Sequence, residues 1–369
     1  MAKIIHASDF CLGRQFSGIG KAGDFVRRAL KESLESAVTL ALDRSVDLFL
    51  VSGNLFASNM VSRHLVDFVF QQVERLGKIP FVVLPGVCDC LEENSIYRLL
   101  STENRPENFY LLNSRQAPYL RFPESEITVY GATSFGEGTV ATEQTLPAKG
   151  DLPGVHIAIV NNPELPDDAC GSSSFGATID AIAKTGFDYV AVGGLDYRQW
   201  NDYSYSSGSP ETQDFESSKS GQVLLVEISR NRPVIEKCRT GQMVWKQLEL
   251  DNARFRYSIE LEEELLRHAS SETLLRIRFD GELTPDGYVD LTALENEFRD
   301  RFCCLRIEET RRLETSRVRV GGTGGDTLLT DYIYLLEDAI EKATPELKPR
   351  YLQALVTGNA MLSGKDVIS

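Results

Sequence analysis

The residues able to do chemistry sit just after short apolar runs. "HASDFCLG" puts Asp9 and Cys11 beyond the first run, and "FLVSGNLFAS" puts Asn54 beyond the second. "FVVLPGVCDC" follows with Val87, Cys88 and Asp89, "AIVNNPE" with Asn161, and "VAVGGLDYRQ" with Gly194 and Asp196. Carboxylates and thiolates ligate metals and move protons; amides do so weakly and bring no charge. A loop opening on Pro-Gly after a strand presents its side chains at a sheet edge. There, hydrogen-bonding and metal-binding groups are expected, yet this chain offers a valine and a thiol.

The elements that hold these loops read as alternating strands and helices. Strands are expected at Lys3–Ser8, Val46–Ser52, Phe81–Leu84, Ile127–Ala132, Val155–Val160, Asp188–Val192 and Gln222–Ile228. Helices are expected at Asp24–Asp43, Ser62–Leu76 and Thr178–Thr185, the first with one apolar face. Tyr203–Lys219 reads as a polar loop. This is an α/β pattern with helices packed on sheet. From about Gln242 a second strand–helix alternation begins, through "MVWKQLELD", "EEELLRHA", "LLRIRFDGEL", "LTALENEFRDR" and "CLRIEETRRL". "GGTGGDT" at 321–327 reads as a flexible linker, followed by helices at Leu328–Lys342 and about Arg350–Thr357, with Gly358-Asn359 as a stop signal. The expected domains are therefore 1–238, a small α/β domain at 239–320, and a linker with a helix pair at 321–369.

Composition narrows the function classes. The net charge of −15 argues against a chain that coats nucleic acid by itself. The basic cluster Arg306, Arg311, Arg312, Arg317 and Arg319 reads as solvated strand faces beside acidic neighbours. The seven cysteines lack zinc-finger spacing and read as reduced core or loop residues. No apolar run reaches membrane-spanning length, and the N-terminus enters a strand at once, so a cytoplasmic protein with no membrane contact is expected.

Taken in order, the loops resemble the calcineurin-like metallophosphoesterases, and within them the SbcD-type nuclease subunits of DNA repair. "IIHASDFCLGR" resembles the family's opening strand and D-x-H-L-G loop, "VDLFLVSGNLFAS" its G-D-L-F-D segment, "VVLPGVCDC" its V-x-P-G-N-H-D, and "DYVAVGGLD" its D-Y-V-A-L-G-H-x-H. "SGSPETQDFE" with "GQVLLVEI" is similar to the late loop and strand. The resemblance implies a β-sandwich flanked by helices, a small capping domain and C-terminal helices.

It also implies a two-cation site, which this chain does not carry intact. At the family's ligand positions stand Asp9, Cys11, Asn54, Val87, Asn161, Gly194 and Asp196, with Cys88 in place of the histidine thought to act as general acid. Only Asp9 keeps its type. The bridging carboxylate becomes Asn54, which cannot offset two cations. The chain's four histidines, His6, His64, His156 and His268, fall elsewhere, whereas the family uses five imidazoles at strand ends. By analogy, Asp9, Cys11, Asn54 and Asp196 surround one position that a single weakly held Mn or Zn would take. Each residue also has a plain structural explanation. Asp9 satisfies donors in a turn, Cys11 and Cys88 fill space, Asn161 suits a turn before Pro163, and Asp89 and Asp196 are solvated loop carboxylates.

The expectation is a catalytically inactive phosphoesterase relative with no cofactor and no catalytic residues, Cys88 and Asp89 marking degenerate positions. It would act as a scaffold or regulatory subunit of a DNA-processing complex with an SMC-like coiled-coil ATPase. An active homologous nuclease or a second copy is a further candidate partner, and DNA is reached only through the complex. The alternatives are a metal-dependent DNA phosphodiesterase with an atypical Asp/Cys site and a module that binds a phosphate-containing ligand without cleaving it. The expected docking stripe is Leu328, Leu329, Tyr332, Leu335, Leu336 and Ile340; packing on the chain's own core is its alternative.

Overall fold

The structure, a computed structural model, describes residues 1–91, 93–100, 105–113, 119–132, 149–161, 172–229, 232–251, 258–283, 291–309, 312–313, 328–344 and 347–362. The chain falls into two compact units, Met1–Met243 and Val244–Ser369. The 321–327 linker and Arg311, Arg317 and Arg319 lie outside the described residues.

The first unit runs β1 (Ala2–Ala7), α1 (Ala22–Asp43), β2 (Leu48–Ser52), α2 (Arg63–Arg75), β3 (Phe81–Leu84), α3 (Ile96–Leu100), β4 (Phe109–Leu111), β5 (Tyr119–Phe122), β6 (Ile127–Ala132), β7 (Val155–Val160), α4 (Ser172–Lys184), β8 (Tyr189–Val192), β9 (Tyr197–Gln199), β10 (Ser204–Ser207), β11 (Gln222–Ile228) and β12 (Val234–Arg239). One six-stranded sheet has the order β12-β11-β1-β2-β3-β4, the other β5-β6-β7-β8-β10-β9. Both are mixed. β1–β4 run parallel while β11 pairs antiparallel with β1, and β6, β7, β8 and β10 run parallel between antiparallel edges β5 and β9.

The strands read as continuous apolar runs because both faces are covered. Alternate residues of the two sheets, among them Ile4, Leu50, Val82, Val129, Ile157, Tyr189 and Leu224, share one core between the sheets. The opposite residues meet helices. Phe70 of α2 meets Phe109 of β4 edge-on at 5.7 Å, and Ile179 and Ile182 of α4 pack on Val160, Val190 and Val192. This is the expected α/β sandwich flanked by helices.

The segment 203–219 is not all loop, since Ser204–Ser207 forms β10 between β8 and β9. Its serines are buried, so their polarity hid the strand; Ser206 and Ser207 hydrogen-bond to neighbouring groups.

His6 is wholly buried between the sheets. Its Nε2 lies 2.9 Å from Ser52 Oγ in its own sheet and its Nδ1 2.8 Å from Tyr189 Oη in the other. Ser52 donates to the Ala7 carbonyl, so Nε2–H donates to Ser52 and Nδ1 accepts from Tyr189. Burial lowers the imidazole pKa to about 3.

The second unit holds β13 (Val244–Asp251), α5 (Ser258–His268), β14 (Ser270–Asp280), β15 (Glu282–Leu283), α6 (Leu291–Phe298), β16 (Phe302–Glu309), β17 (Arg312–Leu313), α7 (Leu328–Lys342) and α8 (Lys348–Leu362). β13, β14 and β16 form a parallel sheet whose Leu275, Ile277 and Leu305 pack on Leu261 and Leu265 of α5 and Leu294 and Phe298 of α6. α8 continues through Gly358, where a stop was expected. A Cβ at Gly358 would collide with the Tyr332 ring, whose hydroxyl donates to the Ala354 carbonyl at 2.6 Å. The glycine is there for helix–helix contact.

The buried neutral His6 makes stability pH-dependent. Its pKa is depressed by folding, so the unfolded chain binds more protons between pH 6.5 and about 3. Its contribution is complete above pH 6.5 and is lost as pH falls toward 3, at up to about 1.4 kcal/mol per pH unit. Urea unfolding at pH 7.5, 6 and 5 is expected to show this slope, and His6→Gln to flatten it. Equal slopes in both chains would refute the assignment.

Candidate functional site

The strand-end loops converge as expected, but on one another. Asp9, Cys11 and Asn54 all have left-handed backbones, with φ of 52°, 46° and 49°. Asp and Asn tolerate this conformation; for Cys it is uncommon and stores strain. The two loops are tied by Asp9 N to Gly53 O at 3.0 Å, Cys11 N to Asn54 O at 2.9 Å and Leu12 N to Leu55 O at 3.0 Å.

Asp9 is only 2% exposed. Its Oδ1 accepts from Asn54 Nδ2 at 2.7 Å and its Oδ2 from the Gly194 backbone N–H at 2.8 Å. Its carbonyl accepts from Gln213 Nε2 at 2.7 Å, and Gln213 Oε1 accepts from Arg14 Nη1 at 3.0 Å. Asp9 thereby joins the end of β1 to the loop after β8 in the other sheet. Asn54 completes the link, its Oδ1 accepting from Cys88 N–H at 2.9 Å. Only one orientation of the Asn54 amide suits both a carboxylate and an N–H. A Cβ at Gly86 would collide with this amide, so the glycine of "PGVC" lets the third loop close on the second.

Asp89 corrects the sequence reading most clearly. It is not solvated but fully buried. Gly86 N–H donates to Oδ1 at 2.7 Å, and Phe56 N–H and the Tyr97 hydroxyl donate to Oδ2 at 3.0 and 2.6 Å. Burial raises its carboxyl above the usual range, and these three bonds offset only part of the rise. Asp89 pins loop 85–90 to loop 52–58 and to α3.

The remaining positions divide. Cys11 is buried, and burial, with Asp9 beside it, pushes its thiol well up. Cys88 is exposed, so the expectation that it fills space fails. Val87 is half-buried. Asn161 is 1% exposed, packs against Gly53, and finds no hydrogen-bond partner for either amide atom among the described residues. Asp196 is half-buried and accepts from Lys219 N–H at 2.8 Å, so it caps a loop. Ser8, Gln213 and Tyr97 were missed. Ser8 Oγ donates to the Gly194 carbonyl at 2.9 Å. Gln213 lies inside the recognised "SGSPETQDFE" segment, the one available signal; Ser8 and Tyr97 gave none.

This donor set does not fit two divalent cations. The Asp9 oxygens described above face an amide and a backbone N–H, and Asn54 supplies no bridging charge. Among the described residues, no group of three or more His, Cys, Asp or Glu side chains lies close enough to hold a metal ion.

No family model matches the chain, and no curated protein matches it significantly. Among solved structures it is similar to TT1561 of Thermus thermophilus, at 16% identity over 64% of this chain and 99% of that one, with a TM-score of 0.40. It is also similar to GAP50, the anchor in the inner membrane complex of Plasmodium, at 11% identity over 65% and 84%, with a TM-score of 0.41. No helix among the described residues is long and apolar enough to cross a membrane.

Asn54→Asp tests the neutral closure. It places a second carboxylate against Asp9 and removes the amide donor. Unfolding experiments are expected to show a loss of about 3 kcal/mol at pH 7, partly recovered as the pair is protonated at lower pH. An unchanged midpoint at both pH values would show that the amide does not hold the loops together.

Proposed function

We propose that the chain is a non-hydrolytic relative of the calcineurin-like phosphoesterases of SbcD type, acting as a scaffold or regulatory subunit of a DNA-processing complex. One observation carries this reading. The Asp9 carboxylate, at the position where the resemblance implies a metal ligand, is held by Asn54 Nδ2 and Gly194 N–H. Phosphoester hydrolysis by two metals needs a bridging anion and an activated water. Here the would-be bridge is a neutral amide used at both ends, and an exposed thiol stands where a protonating imidazole belongs.

The proposed partner is an SMC-like coiled-coil ATPase, met by α7 and α8. Support comes from the division of labour on α7. Tyr332, Leu336 and Ile340 are half-buried, and Tyr332 is engaged with α8. Leu328 and Leu335 remain 74% and 71% exposed. Of the stripe residues whose side chains are described these two leucines are the most exposed, and they are the ones to test.

Elemental analysis of the purified chain is expected to find no two tightly held Mn or Zn ions. A manganese-supplemented nuclease assay is expected to stay at background. Manganese-dependent cleavage lost on Asp9→Ala, with folding intact, would instead favour the atypical phosphodiesterase. Co-expression with an SMC-like ATPase is expected to recover the complex, and Leu328→Asp with Leu335→Asp to abolish it. Equal recovery from both chains would place the contact elsewhere.

A further inference from the structure

One polar cluster of the second unit, apart from the loop site, has the arrangement of an activated nucleophile. Side chains alternate between the two faces of a strand. Leu248 and Leu250 of β13 pack on the core that β14 and β16 share with α5 and α6, so Lys246, two residues before Leu248, lies on that same face of the sheet. On α5, Leu261 and Leu265 are buried in this core. Glu264 and His268 stand at i and i+4 in the last turns of α5, where side chains on one face of a helix meet. Lys246, Glu264 and His268 are all half-buried at the rim of the core.

Their contacts form a chain. Lys246 Nζ lies 3.3 Å from His268 Nδ1, and His268 Nε2 lies 3.3 Å from Glu264 Oε1. The other oxygen, Oε2, accepts from Arg267 Nη1 at 2.6 Å. An ammonium only donates and a carboxylate only accepts. The two neighbours therefore hold the imidazole in one tautomer, with its proton on Nε2 toward Glu264 and a lone pair on Nδ1 toward Lys246. A carboxylate, an imidazole of fixed tautomer and a nucleophile, in that hydrogen-bonded order, is the arrangement that activates serine and cysteine nucleophiles. Here the nucleophile is an amine.

We propose that Lys246 is an acylation site, at which His268 takes a proton from the lysine ammonium and the freed amine attacks an activated acyl group. Lys246 Nζ bonds to the carbonyl carbon. The bond from that carbon to a phosphate oxygen or a thioester sulfur breaks, and His268 returns its proton to the leaving group. A second proton leaves the nitrogen for water, so the product is a neutral amide and one positive charge is lost from the unit. Glu264 is a positioning residue: it fixes the tautomer and offsets the charge that the ring gains in the step.

Acetyl phosphate in one arm and an acetyl thioester in the other, each incubated with the full chain, test this by peptide mass spectrometry. The exposed Lys78, Lys219 and Lys348 serve as references within the same chain. Lys246 is expected to acetylate about a hundredfold faster than these, the lower end of what a positioned base supplies, and the faster arm identifies the leaving group. His268→Gln is expected to bring Lys246 to the reference rate. Glu264→Leu is expected to remove most of its lead, and nitrogen NMR to show the His268 proton shared between both ring nitrogens instead of held on Nε2. The comparison within the natural chain needs no variant, so it decides the matter even where a substitution disturbs folding. A Lys246 that reacts no faster than the reference lysines in either arm, or a lead that His268→Gln leaves unchanged, would overturn the proposal.

Discussion

The buried carboxylate of Asp9 organises one end of the first unit. Three loops reach it or its partner: Gly194 from the far sheet, Asn54 from beside β2, and Cys88, through Asn54, from beyond β3. A buried anion is costly unless its oxygens are met by donors, and charge-assisted hydrogen bonds are stronger than neutral ones. The loops therefore have one arrangement that satisfies Asp9, and the left-handed backbones at Asp9, Cys11 and Asn54 are held in it. An amide and a backbone N–H meet the two Asp9 oxygens.

Asp89 and His6 extend the same logic. Asp89 gathers Gly86, Phe56 and Tyr97, and His6 joins Ser52 to Tyr189 across the sandwich. All of these polar contacts lie in or beside the seam between sheets and loops, where hydrophobic packing alone would not fix register. They fix how the loops meet the sheets at this end of the first unit.

Much of this was legible in the sequence. Apolar runs such as Phe81–Leu84, Ile127–Ala132 and Gln222–Ile228 are strands with those same limits, because a strand buried on both faces leaves an unbroken apolar signature. The strand-end positions of Asp9, Asn54, Cys88 and Asn161 were equally readable, since loop punctuation is local chemistry. The sequence by itself also determined that the chain has only four histidines and that none falls in these strand-end loops.

What the sequence did not hold is the partner of each polar side chain. Asp89 looked solvated because nothing local announces that Tyr97, Phe56 and Gly86 will enclose it. β10 looked like loop because serine hydroxyls read as solvent-facing until neighbouring strands bury them. Gly358 looked like a helix stop, yet Tyr332, from a different helix, is what requires it. Local pattern decides which backbone states are favourable, and so the elements. Only tertiary structure decides which distant donors and acceptors meet, because hydrogen bonds between residues as far apart as Asp9 and Gly194 have no counterpart in neighbouring sequence.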